Sequence, residues 1–167
     1  RTFPANGKFS KAQRDIYNLV LSAQSAAINE IKPGKHWNEP HNAAVRVLTE
    51  GMVELGILKG DPEKLIKNDD YTKYFMHRTG HWLGMDVHDV GDYKLDGEWR
   101  MLEAGMVMTV EPGLYLPANS KSLPNQWRNI GVRIEDDVLV TKDGYDILSK
   151  DAPKTIDEIE ELMADAA

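Results

Sequence analysis

The spacing of hydrophobic residues changes part-way along this chain, and the change restricts its fold. Apolar residues recur at helical spacing between residues 16 and 28. Ser10 and Gln13 stand at capping-box spacing before this run, and Pro33 with Gly34 ends it. Beyond residue 70 the apolar runs become short and are bounded by Gly, Pro and Asp, as is typical of strands joined by turns. Helices followed by strands predict one α+β domain over residues 1–167.

Three further helices are expected. One spans about Glu39 to Leu55, and its apolar residues on or near one face are Ala43, Val47, Met52 and Leu55. A short helix opens at Asp61-Pro62, where proline suits the first helical turn. Thr155 and Glu158 cap the last helix, which presents Ile156, Ile159 and Leu162.

Two strands are predicted in the second half of the chain. Met106 to Val110 is a short apolar run that ends at Glu111-Pro112-Gly113. Gly131 to Thr141 forms the second strand, with apolar residues around a charged centre. The opening residues, Arg1-Thr2-Phe3, are typical of the end of a further strand that runs into a turn.

The composition is that of a folded globular domain, and it excludes several kinds of site. Of the 167 residues, 41% are hydrophobic and 28% are charged, so a hydrophobic core is expected. The formal net charge of -7 argues against nucleic acid or an anionic membrane as the main partner. No apolar run approaches the roughly 20 residues of a membrane span, and we expect a cytoplasmic protein. The absence of cysteine excludes disulfides and thiolate metal ligands.

Three of the 5 histidines lie close together in the sequence. His77, His81 and His88 are surrounded by glycine and aspartate, and glycine allows a backbone to approach a ligand closely. Imidazole is the commonest metal ligand and the usual acid–base group, so the cluster is a candidate site. Structural histidines with internal partners are the alternative. The spacing excludes the His-Glu-x-x-His helix of zinc proteases.

Glu111 ends the first predicted strand and is the next candidate. Pro112 biases it toward extended geometry, and alternation places Val107, Thr109 and Glu111 on one face. A glutamate at a strand end that faces solvent is one interpretation. The other is a carboxylate that the following Pro-Gly turn holds at the mouth of the strand, where ligands are usually bound.

Glu135 lies in the charged centre of the second predicted strand. Alternation places Arg133, Glu135 and Asp137 on one face of that strand. A solvated outer face accounts for three such charges. The alternative is a buried polar site in which Arg133 orients carboxylates and Glu135 binds a metal, because burying these charges is costly unless they are paired or coordinated.

His81, Glu111 and Glu135 together offer one imidazole and two carboxylates, which suit manganese, cobalt or zinc. Two ions that share carboxylates lower the pKa of a bound water and polarise a carbonyl, which is sufficient for amide hydrolysis. A second ion needs about two further carboxylates. The remaining aspartates of this region are expected to be turn and loop residues: Asp69, Asp70, Asp86, Asp89 and Asp92.

Four ordered motifs cover these candidates: HRTGHWLG at 77–84, DVHDVG at 86–91, TVEPGLY at 109–115 and GVRIEDD at 131–137. With RTFP at 1–4 and GKF at 7–9, they resemble the bacterial Xaa-Pro aminopeptidases (aminopeptidase P) along nearly the whole chain. These enzymes belong to the pita-bread metallopeptidases. The resemblance implies an α+β pita-bread fold, in which a curved antiparallel sheet is flanked by helices.

The resemblance implies a metallopeptidase that cleaves the bond between an N-terminal residue and a following proline. A hydroxide that bridges two metal ions attacks the peptide carbonyl in this family. The implied ligands are His81, Glu111 and Glu135, with Glu135 bridging both ions and Glu111 also serving in proton transfer. Manganese is the implied metal, and cobalt and zinc are alternatives.

The resemblance also implies roles for three residues beside the metals. His77 and His88 match histidines that contact substrate or steady the tetrahedral intermediate. Arg133 matches an arginine that supports the site through hydrogen bonds. The substrates implied are peptides with proline in the second position.

The same resemblance predicts that the chain is one part of a longer protein. The two aspartate ligands of the family and its N-terminal domain fall upstream of Arg1. Residues 1–167 are therefore expected to be a partial pita-bread catalytic domain, incomplete at its N-terminus and weakly active or inactive alone. The full-length parent is expected to be a homo-oligomer. The alternatives are a prolidase or methionine aminopeptidase of the same fold, or a non-catalytic module that binds peptides or proteins.

Overall fold

The computed structural model describes residues 1–165, and four α-helices account for much of the core. They are α1 Lys11–Asn29, α2 Asn38–Glu54, α3 Pro62–Lys67 and α4 Ile156–Asp165, with 3-10 helices at Asp70–Lys73 and Asn125–Trp127. The predicted capping box is confirmed. The Ser10 hydroxyl accepts a bond from Gln13 N at 3.3 Å, and the Gln13 side chain accepts one from Ser10 N at 2.8 Å.

Helices α1 and α2 pack against each other and against the strands. Burial on α2 follows a face rotated from the predicted one, because Ala43, Val47 and Leu55 are only partly buried. The buried apolar residues of α2 are Ala44, Val45, Leu48 and Met52. The short helix at Asp61-Pro62 is confirmed, and the Asp61 side chain accepts a bond from Lys64 N at 3.1 Å.

Within residues 1–165, nine short strands follow the first three helices. They are β1 Leu83–Gly84, β2 Val87–His88, β3 Lys94–Leu95, β4 Glu98–Trp99, β5 Val107–Val110, β6 Gly113–Leu116, β7 Ile130–Arg133, β8 Asp136–Val140 and β9 Tyr145–Ile147. All pairings are antiparallel: β1 with β2, β3 with β4, β5 with β8, β8 with β9, and β6 with β7. The class expected from the sequence, α+β, is confirmed.

The prediction of one strand from Gly131 to Thr141 is wrong. The structure divides this segment into β7, which ends at Arg133, and β8, which begins at Asp136, so Ile134 and Glu135 lie between the two strands. The partner strands β5 and β6 are interrupted at the same level, at Glu111 and Pro112. Proline has no N–H to donate, so the ladder cannot continue through residue 112. Burial still alternates across the break, with Val132, Ile134, Asp136 and Val138 buried.

Two expectations at the chain ends are also corrected. Residues 1–3 form no strand, and the Thr2 hydroxyl instead bonds to the backbone of Arg133. The cap of α4 is confirmed, because Glu158 accepts bonds from Thr155 N and Oγ1. Leu162 is exposed, however. Within residues 1–165, no helix has the length and hydrophobicity that crossing a membrane requires.

Candidate metal centre

Glu111 and Glu135 face each other across the break in the paired strands. The register of β5 with β8 continues unchanged into that of β6 with β7, so Glu111 stands directly opposite Glu135. Like charges that oppose each other destabilise a strand pair. A bound cation would neutralise them, and the position therefore favours metal binding.

His81 reaches the same point from the segment before β1, which lies along the edge of β5. Thr109 N donates to His81 O at 3.0 Å, and His81 N donates to Thr109 Oγ1 at 3.0 Å. His81 Nδ1 donates to the backbone oxygen of Trp82 at 2.9 Å. Its Nε2 lies 3.3 Å from Glu111 Oε1, and in the tautomer with the proton on Nδ1 alone it presents a lone pair in that direction. Two acceptors this close are suited to share a cation.

The three residues form a compact donor set. One ligand atom from each of His81, Glu111 and Glu135 lies within 4.8 Å of the other two. Among the residues that the structure describes, no other group of three His, Asp or Glu side chains meets this test. The aspartates assigned to loops from the sequence, including Asp86, Asp89 and Asp92, are exposed and lie outside the set. One imidazole and two carboxylates fit a divalent ion of the manganese, cobalt and zinc group.

Glu111 is the buried member of the pair of carboxylates, and Glu135 is only partly buried. Glu111 is only 8% exposed, so the interpretation of it as a solvent-facing glutamate is wrong. Its Oε1 accepts a bond from the Thr109 hydroxyl at 3.1 Å, as expected for neighbours on one strand face. Burial, and then the negative charges of Glu111 and Asp137, raise the pKa of Glu135. A cation at this point would offset both effects.

Arg133, Tyr115 and His77 form a hydrogen-bonded network beside Glu111. Arg133 Nη1 donates to Glu111 Oε2 at 3.2 Å, and Arg133 Nε donates to the Tyr115 hydroxyl oxygen at 2.7 Å. His77 Nδ1 lies 2.8 Å from the backbone oxygen of Arg78, which can only accept, so Nδ1 carries the proton. Its Nε2 then accepts from Tyr115 at 2.8 Å. The pKa of His77 is lowered, mainly by burial, and this favours the neutral form.

Tyr115 was not singled out from the sequence. Alternation along the chain from Thr109 through Glu111 and Gly113 places Tyr115 on the same face, so the signal was present. The sequence does not reveal its role, because only the pairing of the strands brings its hydroxyl between His77 and Arg133.

His88 lies over the ring of His81. The two ring centroids are 4.3 Å apart and the planes are inclined at 57°. Val87, which precedes His88, has a φ of 68°, a left-handed conformation that β-branched residues rarely adopt. Such strained residues cluster at functional sites, where the surrounding structure holds them. The structure thus brings His77, His81, His88, Glu111 and Glu135 into one region.

A histidine outside the cluster predicted from the sequence supports the segment that carries His81. His41, on α2, is 7% exposed, and its Nδ1 lies 2.9 Å from Thr79 Oγ1. The backbone oxygen of Thr79 accepts a bond from Glu111 N at 2.6 Å. Burial, followed by the charges of Arg78 and His77, lowers the pKa of His41 to about 3. His41 is therefore a neutral support of the backbone that carries the donor set.

Acidification is expected to destabilise the protein through His41. The unfolded histidine titrates near pH 6.5 and the folded one near 3, so between these values only the unfolded state binds the proton. The stabilisation is present above pH 6.5 and is lost as the pH falls, by at most about 1.4 kcal/mol per unit. Urea unfolding at pH 6.5 and 5 should show an extra loss of about 2 kcal/mol that His41→Gln removes. Asn42→Gln, on the exposed side of α2, should retain the loss. An equal loss in His41→Gln would contradict the assignment.

The sequence matches the model of Metallopeptidase family M24 over residues 1–142. The chain belongs to metallopeptidase family M24. Its curated relatives include the Xaa-Pro aminopeptidase of Haemophilus influenzae, which is 52% identical over 98% of this chain. The Xaa-Pro aminopeptidase of Escherichia coli is 48% identical over 99% of the chain. In both cases the match covers 37% of the relative, so the chain spans well under half the length of the curated relatives it matches.

Solved structures of aminopeptidases superpose closely on this chain. The aminopeptidase PepP of Pseudomonas aeruginosa gives a TM-score of 0.98 at 58% identity, covering 99% of this chain and 38% of that one. Zinc-substituted E. coli aminopeptidase P, in complex with product, gives a TM-score of 0.95 at 47% identity over 100% of this chain and 38% of that one. The pita-bread fold expected from the sequence is confirmed by these likenesses.

Proposed function

We propose that this M24 chain is the part of an Xaa-Pro aminopeptidase that carries His81, Glu111 and Glu135 as metal ligands. The observation that supports it most is the donor set, whose ligand atoms lie within 4.8 Å of one another on three separate segments. Xaa-Pro aminopeptidase is also the name of the relatives at 52% and 48% identity. The proposed reaction hydrolyses the bond between an N-terminal residue and a following proline.

The proposed site holds two divalent ions, with manganese favoured over cobalt or zinc. Bound there, they would supply a hydroxide nucleophile and polarise the scissile carbonyl. Glu135, which lies opposite Glu111 in the strand register, would serve both ions, as the sequence resemblance implies. Glu111 would also accept and return the proton, as the sequence resemblance implies, with its Oε2 held by a hydrogen bond from Arg133.

The neighbouring residues would orient the substrate. His77 keeps its proton on Nδ1, so its Nε2 is held by Tyr115 and Arg133 and is fixed in direction. Arg133 steadies the Glu111 carboxylate at 3.2 Å. His88, whose ring is tilted over that of His81, is exposed and would donate a hydrogen bond to the developing oxyanion of the carbonyl.

The whole protein is proposed to extend beyond this chain. Relatives of which the match covers 37% support the assignment of residues 1–167 to a partial catalytic domain. The further ligands, the N-terminal domain, the homo-oligomeric parent and the cytoplasmic location stay predictions from the sequence resemblance.

Peptidase assays with defined metals test the proposal. The protein as encoded in its gene, stripped with a chelator, should lose hydrolysis of Xaa-Pro dipeptides and tripeptides and regain it when Mn²⁺ is returned. This 167-residue chain alone should show weak or no turnover. Activity should be absent on Met-Ala peptides of the same length.

Three outcomes would count against the proposal. Full turnover after exhaustive chelation would exclude a metal-dependent reaction. Preference for Met-Ala peptides would favour a methionine aminopeptidase of the same family. Robust turnover by the 167-residue chain alone would show that the site needs no further ligands.

A further inference from the structure

Glu135 lies at a break in the strand pairing. It occupies the two-residue break between β7 and β8, and Pro112 opposite the break has no N–H to donate. The bond across the break is a long one, from Ile134 N to Pro112 O at 3.3 Å. Something other than the ladder must therefore fix the direction of the Glu135 side chain.

The next residue, Asp136, is held far more firmly. It is 1% exposed, and alternation directs its side chain to the face opposite that of Glu135. Its Oδ1 accepts bonds from Arg1 Nη2 at 2.8 Å and from Ser149 Oγ at 2.7 Å. Its Oδ2 accepts a bond from Lys154 Nζ at 2.6 Å. A buried carboxylate thus meets two cations, and we call Arg1, Asp136 and Lys154 the clamp.

The clamp connects the break to the rest of the fold. The Arg1 guanidinium also donates to the backbone oxygen of Glu135 itself. Its Nε donates to Pro153 O at 3.0 Å, and the Tyr17 hydroxyl on α1 donates to Lys154 O at 2.8 Å. The backbone of Glu135 is therefore braced against α1 and the segment before α4.

We propose that Asp136 is a positioning residue whose clamp holds the Glu135 carboxylate close to Glu111, against their mutual repulsion, ready to bind metal. The inference rests on the proposed metal-binding function. A buried ion cluster is weak evidence for stability alone, since apolar residues often replace one without loss. Asp136 is the next residue after Glu135, and its partner Arg1 also donates to the carbonyl of Glu135. This position points instead to control of the Glu135 carboxylate.

Asp136→Asn in the protein as encoded in its gene tests the clamp. The variant keeps the shape of the side chain and removes the charge that both cations meet. Titration of stripped protein with Mn²⁺ alone should show affinity about 10-fold weaker or more, the range found when groups that orient metal ligands are lost. Hydrogen exchange of the segment 133–138, measured without metal, should be faster than in wild type. Ser149→Ala removes one neutral bond to the same carboxylate and should shift both readouts less, in the same direction.

Glu160→Gln is the matched control. Glu160 is also a carboxylate bound by an arginine and a lysine, with Arg14 at 2.6 Å and Lys8 at 3.6 Å. Its loss should lower the metal-free unfolding midpoint while Mn²⁺ affinity stays within about 2-fold of wild type, because it contacts no residue of the donor set.

The outcomes separate the clamp from the proposed function. The clamp would be overturned if Asp136→Asn bound Mn²⁺ as tightly as wild type. It would also be overturned if Glu160→Gln weakened Mn²⁺ affinity as much as Asp136→Asn does. If the wild-type protein itself binds no Mn²⁺, the proposed function fails. Hydrogen exchange of residues 133–138 then tests by itself whether the clamp holds this segment. Hydrogen exchange of residues 133–138 at the wild-type rate in both Asp136→Asn and Ser149→Ala would overturn the clamp.

Discussion

Replacing Glu135 with glutamine is expected to abolish metal binding while it stabilises the metal-free protein. Turnover of an Xaa-Pro peptide should fall by at least about 100-fold, since loss of a ligand costs more than loss of a group that orients one. Stability should move the other way, because burial and the charge of Glu111 raise the pKa of Glu135. A raised pKa means that the ionised carboxylate opposes folding above that pKa, and glutamine carries no such charge. Mn²⁺ titration and urea unfolding of stripped protein measure the two effects.

Asp137→Asn is the control for the Glu135 prediction. Asp137 lies on the same strand face and contributes to the raised pKa of Glu135, but it is outside the donor set. Its replacement should raise metal-free stability slightly and weaken Mn²⁺ affinity far less than Glu135→Gln does, because it removes a nearby charge and no ligand. Lower stability of Glu135→Gln without metal would show that repulsion between the two glutamates does not oppose folding. Retained Mn²⁺ affinity in Glu135→Gln would remove Glu135 from the ligand set.

The largest loss of stability is expected from Gly80→Ala. A Cβ at residue 80 would lie 2.0 Å from the backbone oxygen of Thr109 and 3.0 Å from its carbonyl carbon. Backbone atoms cannot rotate away, so the segment that carries His81 must separate from β5. The two bonds between His81 and Thr109 would lengthen or break. We expect a decrease of about 3 kcal/mol or more in the free energy of unfolding, measured with urea.

Gly144→Ala provides the comparison for Gly80→Ala. A Cβ at residue 144 meets nothing within 4 Å, and the residue is not among the glycines with positive φ. Its replacement should change the free energy of unfolding by less than about 0.5 kcal/mol. Equal stability of the two variants would mean that the contact of residue 80 with β5 relaxes without cost. Loss of Mn²⁺ affinity should accompany the Gly80 variant only, since it alone moves His81.

Much of the candidate site is predictable because its residues lie in short segments, where the local pattern indicates which side chains share a face. Alternation placed Glu111 with Thr109, and the structure shows the hydrogen bond between them. The same rule placed Glu135 on the face of Arg133 and Asp137, opposite the buried Ile134. The local sequence does not distinguish the solvated from the buried interpretation of these residues, because burial depends on strands that are distant in sequence.

The errors in the predicted elements have the same origin. Alternation continues through the break at Ile134 and Glu135, so a single strand from Gly131 to Thr141 satisfied the local pattern. The break is caused by Pro112 on the partner strand, which no window around residue 134 contains. Similarly, the apolar face of α2 was misplaced because packing against α1 decides which of several apolar residues is buried.

The sequence by itself determined the residue types of the donor set, the caps of the helices and the sides of the strands. These features depend on neighbours within a few positions, where spacing is sufficient. Only the tertiary structure decided that Glu111 opposes Glu135, that His41 supports Thr79, and that Asp136 meets Arg1 and Lys154. Those contacts join segments far apart in the chain, and their energies depend on burial and on the distance between charges, which arise when the strands and helices pack together.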